Sequence, residues 1–121
     1  MVDIYRFELD ADGFERVVQG KKTIQLVIND SKHKVYAIGN QLVFALKTEE
    51  GEEPREVRAT IDQLLYFADV KEAVETLGKE KCGFKPSATF EKASDLFLSN
   101  ENFENIEKYG IMAVLFTVIN G

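Results

Sequence analysis

The sequence contains no tryptophan, one cysteine and one histidine among its 121 residues. The single thiol, Cys82, cannot form a disulfide within the chain, and this predicts a reducing compartment. His33 has no second histidine or cysteine motif beside it, so the spacing patterns typical of zinc sites are excluded and no metal site is expected.

Long apolar runs are missing as well. No stretch approaches the roughly 18 apolar residues that a membrane-spanning helix needs, so no membrane association is expected. Residues 1–6 lack the basic region and the following apolar stretch of a signal peptide. These absences together predict a cytoplasmic protein.

The chain also has no excess of positive charge. Its formal net charge is −6 and its isoelectric point is about 4.8, which argues against broad, nonspecific binding to nucleic acid. Residues 16–34 are the exception, because five basic side chains face one acidic side chain there and leave a local charge of +4. This segment either attracts one anionic group or simply carries ordinary surface lysines.

What the sequence does contain is typical of a globular protein: 45% hydrophobic and 30% charged residues. No repeat, low-complexity tract or linker interrupts it. We therefore expect a single domain over residues 1–121, a length that is enough for one self-supporting core.

Residues that favour the start or the end of a helix predict the helices. Asp10 or Asp12 is a candidate N-cap for a first helix, and Gly20 follows its apolar face where a left-handed residue is favoured. Asp69 is a candidate N-cap for a second helix that Gly78 ends. Ser99 is a candidate cap for a third, short helix.

Alternating or continuous apolar residues predict the strands. These segments are 2–9, 23–28, 35–38, 41–47, 57–62 and 111–118, the last of which is apolar enough to be buried on both faces. Short strands with hairpin connections and few helices predict an α+β fold built on a small β-barrel, rather than a doubly wound sheet.

One segment at the first helix-to-strand junction resembles a known signature. Residues 20–27 read Gly-Lys-Lys-Thr-Ile-Gln-Leu-Val, which is similar to the Gly-x-Lys-x-x-Glu-x-Arg signature of the ASCH family. Further similarities follow in order along the chain at residues 29–34, 39–40, 66–69 and 109–111. Each match is short, and the ordered set carries the resemblance.

The resemblance implies a PUA-like β-barrel of mostly antiparallel strands with flanking helices and a cleft beside the signature. ASCH domains are generally thought to bind RNA or nucleotides. Some members resemble small amidohydrolases that act on acetylated cytidine through a Lys and a Thr of the signature strand and a Glu elsewhere. The implied partner is therefore a single-stranded RNA, a nucleotide or a modified nucleoside, and no cofactor is expected.

Only part of the ASCH signature is present in this chain. Gly20 and Lys22 match the signature, whereas its Glu falls on Gln25 and its Arg on Val27. An amide can form hydrogen bonds but cannot act as a base or nucleophile, and valine cannot supply a bidentate guanidinium. These departures favour a binding module over an enzyme. Thr23, on the same strand face as Gln25, is a displaced candidate nucleophile.

Candidate ligand-binding residues follow from the resemblance and the local charge: Lys21, Lys22, Thr23, Gln25, Lys32, Tyr66 and Tyr109. For each, an ordinary structural role stays open. The lysines can be solvated surface residues, Gln25 can be a half-buried strand residue, and the tyrosines can pack in the core rather than stack on a base.

Two other functions remain open. One is a rearranged amidohydrolase for an acylated nucleoside, in which Lys22 assists Thr23 and Asp62 or Glu56 supplies a carboxylate. The other is a noncatalytic protein-interaction domain that uses the acidic surface.

Overall fold

The computed structural model describes residues 2–49, 51–85 and 103–119. The strands are β1 (Ile4–Leu9), β2 (Ile24–Ile28), β3 (Gln41–Leu46), β4 (Glu56–Phe67) and β5 (Ile111–Val118). The helices are α1 (Ala11–Val18), α2 (Val70–Leu77) and α3 (Phe103–Tyr109). Among these residues, no helix is both long enough and apolar enough to cross a membrane.

Helices α1 and α2 begin where side-chain caps satisfy their first backbone donors. The Asp10 carboxylate accepts a hydrogen bond from the Gly13 N–H at 2.8 Å, and the Asp69 carboxylate accepts one from the Glu72 N–H at the same distance. The structure thus selects Asp10 as the cap of α1 and confirms Asp69 as the cap of α2. The predicted cap Ser99 lies outside the described residues.

The five strands form one curled, mixed sheet in the order β1-β3-β4-β5-β2, which resembles half of a barrel. Three of its four strand pairs are antiparallel, whereas β1 and β3 are parallel. The α+β, barrel-like architecture is confirmed. The prediction of mostly antiparallel strands is confirmed only in part. The chain passes through α1 and β2 before β3 returns beside β1, and this pair is parallel.

One predicted strand is wrong. Residues 35–38 form no strand; they belong to a series of turns between β2 and β3. The Tyr36 N–H donates to the His33 carbonyl, and the Asn40 side chain accepts from the Ala37 N–H at 3.0 Å. These local hydrogen bonds replace the cross-strand ladder that the apolar residues Val35 and Ile38 suggested, and both side chains are exposed.

The sheet is covered on both faces. One core cluster contains Val17 of α1, Phe44 of β3 and Val114 of β5, and the other contains Val74 of α2 and Ala113 of β5. Neighbours in sequence on β5 therefore point into different clusters, as alternation along a strand requires. This confirms the expectation that the last strand is buried on both faces.

Candidate functional site

The most unusual buried group of the described residues is the amine of Lys22. Only 8% of the residue is exposed, and among the residues that the structure describes it is one of two buried polar ones, the other being His33. Its Nζ donates a hydrogen bond of 2.7 Å to Oε1 of Gln25 and lies 5.9 Å from the centre of the Phe44 ring. A neutral amide and an aromatic face therefore replace the carboxylate that normally accompanies a buried cation.

Local backbone geometry brings this side chain inward. Gly20 has a φ of +77° just after α1, and the N–H groups of Lys21 and Lys22 both donate to the carbonyl of Arg16. This turn ends the helix and leads the chain into β2. The N–H groups of Thr23 and Ile24 then bind the carbonyl of Lys81, which ties the start of β2 to the segment after α2.

Gly83 makes room for the aliphatic part of Lys22. Its φ is +94°, and a Cβ added at this position would lie 2.9 Å from the Cδ of Lys22. Any larger residue would clash with the lysine stem as well as strain its own backbone. Sequence reasoning missed this glycine, and no local pattern distinguishes it from a turn glycine.

Burial lowers the pKa of Lys22 from 10.5 to about 8, because a charged amine loses hydration inside the protein. Cys82 and Asp10 lie within electrostatic range and partly oppose this shift. Burial also raises the pKa of the Cys82 thiol to about 11, so this cysteine is not an activated nucleophile. Near neutral pH, Lys22 is a mostly protonated amine that loses its proton unusually easily.

A cavity of about 270 Å³ adjoins Lys22, between α1, the start of β2 and the end of β5. Its polar lining comes from Lys22 and the threonines at 23 and 117. The Thr117 hydroxyl donates a hydrogen bond to the Asp62 carboxylate. The complete lining is Val17, Val18, Gly20, Lys22, Thr23, Phe116, Thr117 and Val118.

The predicted residues fall into two groups. Lys22 and Thr23 line the cavity, whereas Gln25 is outside the lining and accepts a hydrogen bond from Lys22. Lys21 is adjacent in sequence but exposed, and it is not part of the lining.

The other three predicted residues lie near the opposite end of the sheet. Tyr66 pairs with Met112 at the start of β5 and is 60% exposed. Tyr109 is the last residue of α3, two positions before β5, and Lys32 follows β2 in the turn region. Since the cavity lies at residues 116–118, four or more residues along β5, roughly 13 Å or more separates Tyr66 from it.

Sequence reasoning missed most of the cavity wall. Phe116, Thr117 and Val118 were expected only as parts of a buried strand, yet they face the start of β2 because the Phe116 N–H donates to the Thr23 carbonyl. No spacing in the sequence indicates this contact across more than ninety positions. Asp62 was a candidate carboxylate, and the structure places it against Thr117, whereas Glu56 pairs with Arg6 of β1.

Metal ligation finds no support in the described part of the chain, where no group of three or more His, Cys, Asp or Glu side chains could hold an ion. His33 has another role, because its Nδ1 lies 2.7 Å from the Asp30 carboxylate and its ring packs edge-on against Tyr36.

Two solved structures share this fold over nearly their whole length. The crystal structure of hypothetical protein PH0355 has a TM-score of 0.77 and 21% sequence identity, and the alignment covers 96% of this chain and 99% of that one. The solution NMR structure of protein PF0455 from Pyrococcus furiosus has a TM-score of 0.73 and 18% identity, with coverages of 98% and 99%. At these identities the likeness establishes the fold alone. No protein-family profile and no curated protein matches the sequence.

Proposed function

We propose that this protein is a noncatalytic binding module whose cavity beside Lys22 holds a nucleotide, a modified nucleoside or the end of a single-stranded RNA. The observation that carries the proposal is the buried ammonium group whose hydrogen-bond acceptor is a neutral amide. An anionic group entering the cavity would supply a negatively charged partner in direct contact, which the neutral Gln25 amide does not.

The remaining lining suits a nucleoside. Thr23 and Thr117 offer hydroxyl groups to sugar or base edges, while Val17, Val18 and Phe116 offer apolar surface. The amide of Gln25 holds the ammonium group from the protein side. The likeness of residues 20–27 to the ASCH signature points in the same direction, since that family is associated with RNA and nucleotides.

The charge of the protein limits the kind of nucleic acid that the cavity would bind. Lys22 is the one cationic side chain in the cavity lining, and the whole chain carries a net charge of −6. We therefore expect recognition of a single nucleotide unit rather than an extended backbone. Binding of a short RNA should then fall only slightly with salt, with a slope near that of about one neutralised phosphate.

Isothermal titration calorimetry with nucleosides, nucleoside monophosphates and a short single-stranded RNA tests the proposal. Lys22→Met keeps the buried stem but removes the charge, and it should weaken nucleotide binding at least about tenfold, the value of one charge-assisted hydrogen bond. Lys71→Met is the matched control, because Lys71 is exposed on α2 and pairs with Glu75. Equal affinities for the wild type and Lys22→Met would refute the site.

Hydrolysis of an acylated nucleoside is a second candidate, favoured by the position of Thr23 beside Lys22 in the cavity lining. Thr117 also lines the cavity, and its hydroxyl donates a hydrogen bond to the Asp62 carboxylate. Incubation with acylated cytidine decides this candidate. Turnover that is lost in both Lys22→Met and Thr23→Val would establish it, and the absence of turnover in the wild type would exclude it.

A further inference from the structure

The amine of Lys22 differs chemically from the exposed lysines of this protein. The residue is more than nine-tenths buried, it is one of the eight residues that line the cavity, and the acceptor of its hydrogen bond is neutral. An amine in such surroundings is poorly stabilised as an ammonium ion and readily presents its lone pair. The cavity of about 270 Å³ gives a small molecule room beside it.

We propose that Lys22 forms an imine with small aliphatic aldehydes that enter this cavity, an activity that goes beyond reversible ligand binding. The apolar side chains of Val17, Val18 and Phe116 would surround the short alkyl chain of the aldehyde. The carbonyl carbon would lie against the nitrogen of Lys22. The substrate class is therefore a small carbonyl compound without a second charged group.

Imine formation consumes only the amine of Lys22 and the aldehyde, and it releases one water molecule. The neutral Nζ adds to the carbonyl carbon, and a proton passes from nitrogen to oxygen to give a carbinolamine. Loss of that hydroxyl group as water, together with the remaining nitrogen proton, leaves the C=N bond. No oxidant, reductant or metal takes part in these steps.

In this proposal, Thr117 and Asp62 help the proton transfers. Thr117 is one of the residues that line the cavity, and its hydroxyl donates a hydrogen bond to the Asp62 carboxylate. Its oxygen can therefore accept a hydrogen bond from the carbinolamine while Asp62 stabilises the developing charge. Asp62 is exposed, so it can exchange protons with solvent.

The acidity of the amine agrees with this geometry. The pKa of Lys22 lies at about 8, against 10.5 for an ordinary lysine. At pH 8 about half of the Lys22 side chains are neutral, whereas fewer than about 1% of ordinary lysines are. Even after allowance for the lower nucleophilicity of a less basic amine, this difference favours Lys22 by at least about tenfold.

Reductive alkylation of the folded protein tests the proposal. The wild type is exposed to limiting propionaldehyde and cyanoborohydride at pH 7.5, then digested with a glutamate-specific protease and analysed by mass spectrometry. Lys21 is an internal control, because it is exposed and lies on the same peptide as Lys22. We expect N-propylation of Lys22 to exceed that of Lys21 at least about tenfold, and this preference to vanish in urea.

Alkylation of Lys22 at or below the level of Lys21 in the folded protein would overturn the proposal. A preference that persists in urea would do the same, because it would then owe nothing to the cavity. The pH profile provides a second reading in the wild type. Propylation of Lys22 should stop rising with pH near pH 8, where its amine loses its proton.

The role of Thr117 is tested separately. Thr117→Val should slow propylation of Lys22 at least about threefold, and Thr117→Ser should restore it. Equal rates in Thr117→Val and the wild type would remove Thr117 and Asp62 from the reaction. Nucleotide binding measured by calorimetry needs no carbonyl group, so failure of imine formation and failure of the proposed binding function are distinguished directly.

Discussion

The two buried polar residues in the described part of the chain, Lys22 and His33, are stabilised in opposite ways. His33 is 9% exposed and lies against the Asp30 carboxylate, with Nδ1 and Oδ1 2.7 Å apart. Lys22 is 8% exposed and has the amide oxygen of Gln25 as its acceptor. One of them thus faces a negative charge, and the other faces a neutral dipole.

This difference separates a buried polar group that has a charged partner from one whose acceptor is neutral. The Asp30 carboxylate also accepts a hydrogen bond from the His33 backbone N–H, and the His33 ring packs against Tyr36, which itself stacks on Tyr5. Every polar contact there closes the turn region after β2. Lys22 instead has a neutral hydrogen-bond acceptor and belongs to the lining of a cavity. An anionic ligand gains the most binding free energy from a buried cation of this kind.

Removal of the histidine ring should have the largest effect on stability. His33→Ala deletes a buried ring and leaves Asp30 without its partner, so we expect a loss of about 2–3 kcal/mol of unfolding free energy. Urea denaturation measures it. Lys34→Ala, an exposed neighbour, should change stability by less than about 0.5 kcal/mol. Equal effects of the two substitutions would contradict the structural role of His33.

Lys22→Met should act in the opposite direction and stabilise the protein by about 1–2 kcal/mol at pH 7. The gain arises because a buried charge is replaced by an apolar side chain, and it is reduced because Gln25 loses its donor. The measurement is again urea denaturation, with Lys71→Met as the exposed control.

The stability difference between Lys22→Met and the wild type should depend on pH, and the lowered pKa of Lys22 sets the sign of that dependence. Between pH 8 and pH 10.5 the unfolded lysine holds its proton more tightly than the folded one, so this residue makes the wild type more stable as pH rises. The advantage of Lys22→Met should therefore be complete below pH 8 and should disappear by about pH 10.5. A difference that stays constant over this range would show that Lys22 is charged to the same extent in both states.

Local signals in the sequence predicted the framework of the fold but not its assembly. The cap Asp69 and the buried strand β5 are encoded within a few neighbouring residues, and the structure confirms them. For the first helix, the structure selects Asp10 over the alternative Asp12. The parallel pairing of β1 with β3 was missed, because alternation of apolar residues is the same for parallel and antiparallel partners.

The candidate site likewise contains residues that the sequence predicted and residues that it did not. Lys22 and Thr23 were found through the local resemblance, and they do line the cavity. Thr117 and Gly83 were missed, since their contribution depends on contacts across long stretches of sequence rather than on their neighbours. Lys32 and Tyr66 remain predictions as binding residues, and the structure places them away from the cavity because strand direction carries them to the other end of the sheet.

Gln25→Glu would make Lys22 resemble His33, because both would then face a carboxylate. We expect the pKa of Lys22 to rise above 8 and nucleotide affinity to fall about fivefold, since the internal carboxylate competes with the ligand's anionic group. An NMR titration of the Lys22 Cε resonance and calorimetry measure the two changes. Unchanged affinity with a raised pKa would show that the ligand does not use the charge of Lys22.

Asp30→Asn should have the smallest effect, about 1 kcal/mol of lost stability at pH 7. Burial opposes ionisation of Asp30, but hydrogen bonds from the His33 side chain and backbone outweigh it and lower the pKa of the carboxyl below 3.8. The stabilisation is therefore present above pH 3.8 and is lost as pH falls through the lowered pKa. Wild type and Asp30→Asn should converge in acid, whereas the exposed control Asp3→Asn should match the wild type throughout. A gap that persists in strong acid would mean that the carboxylate's charge contributes nothing, and His33 would then resemble Lys22 in having a neutral partner.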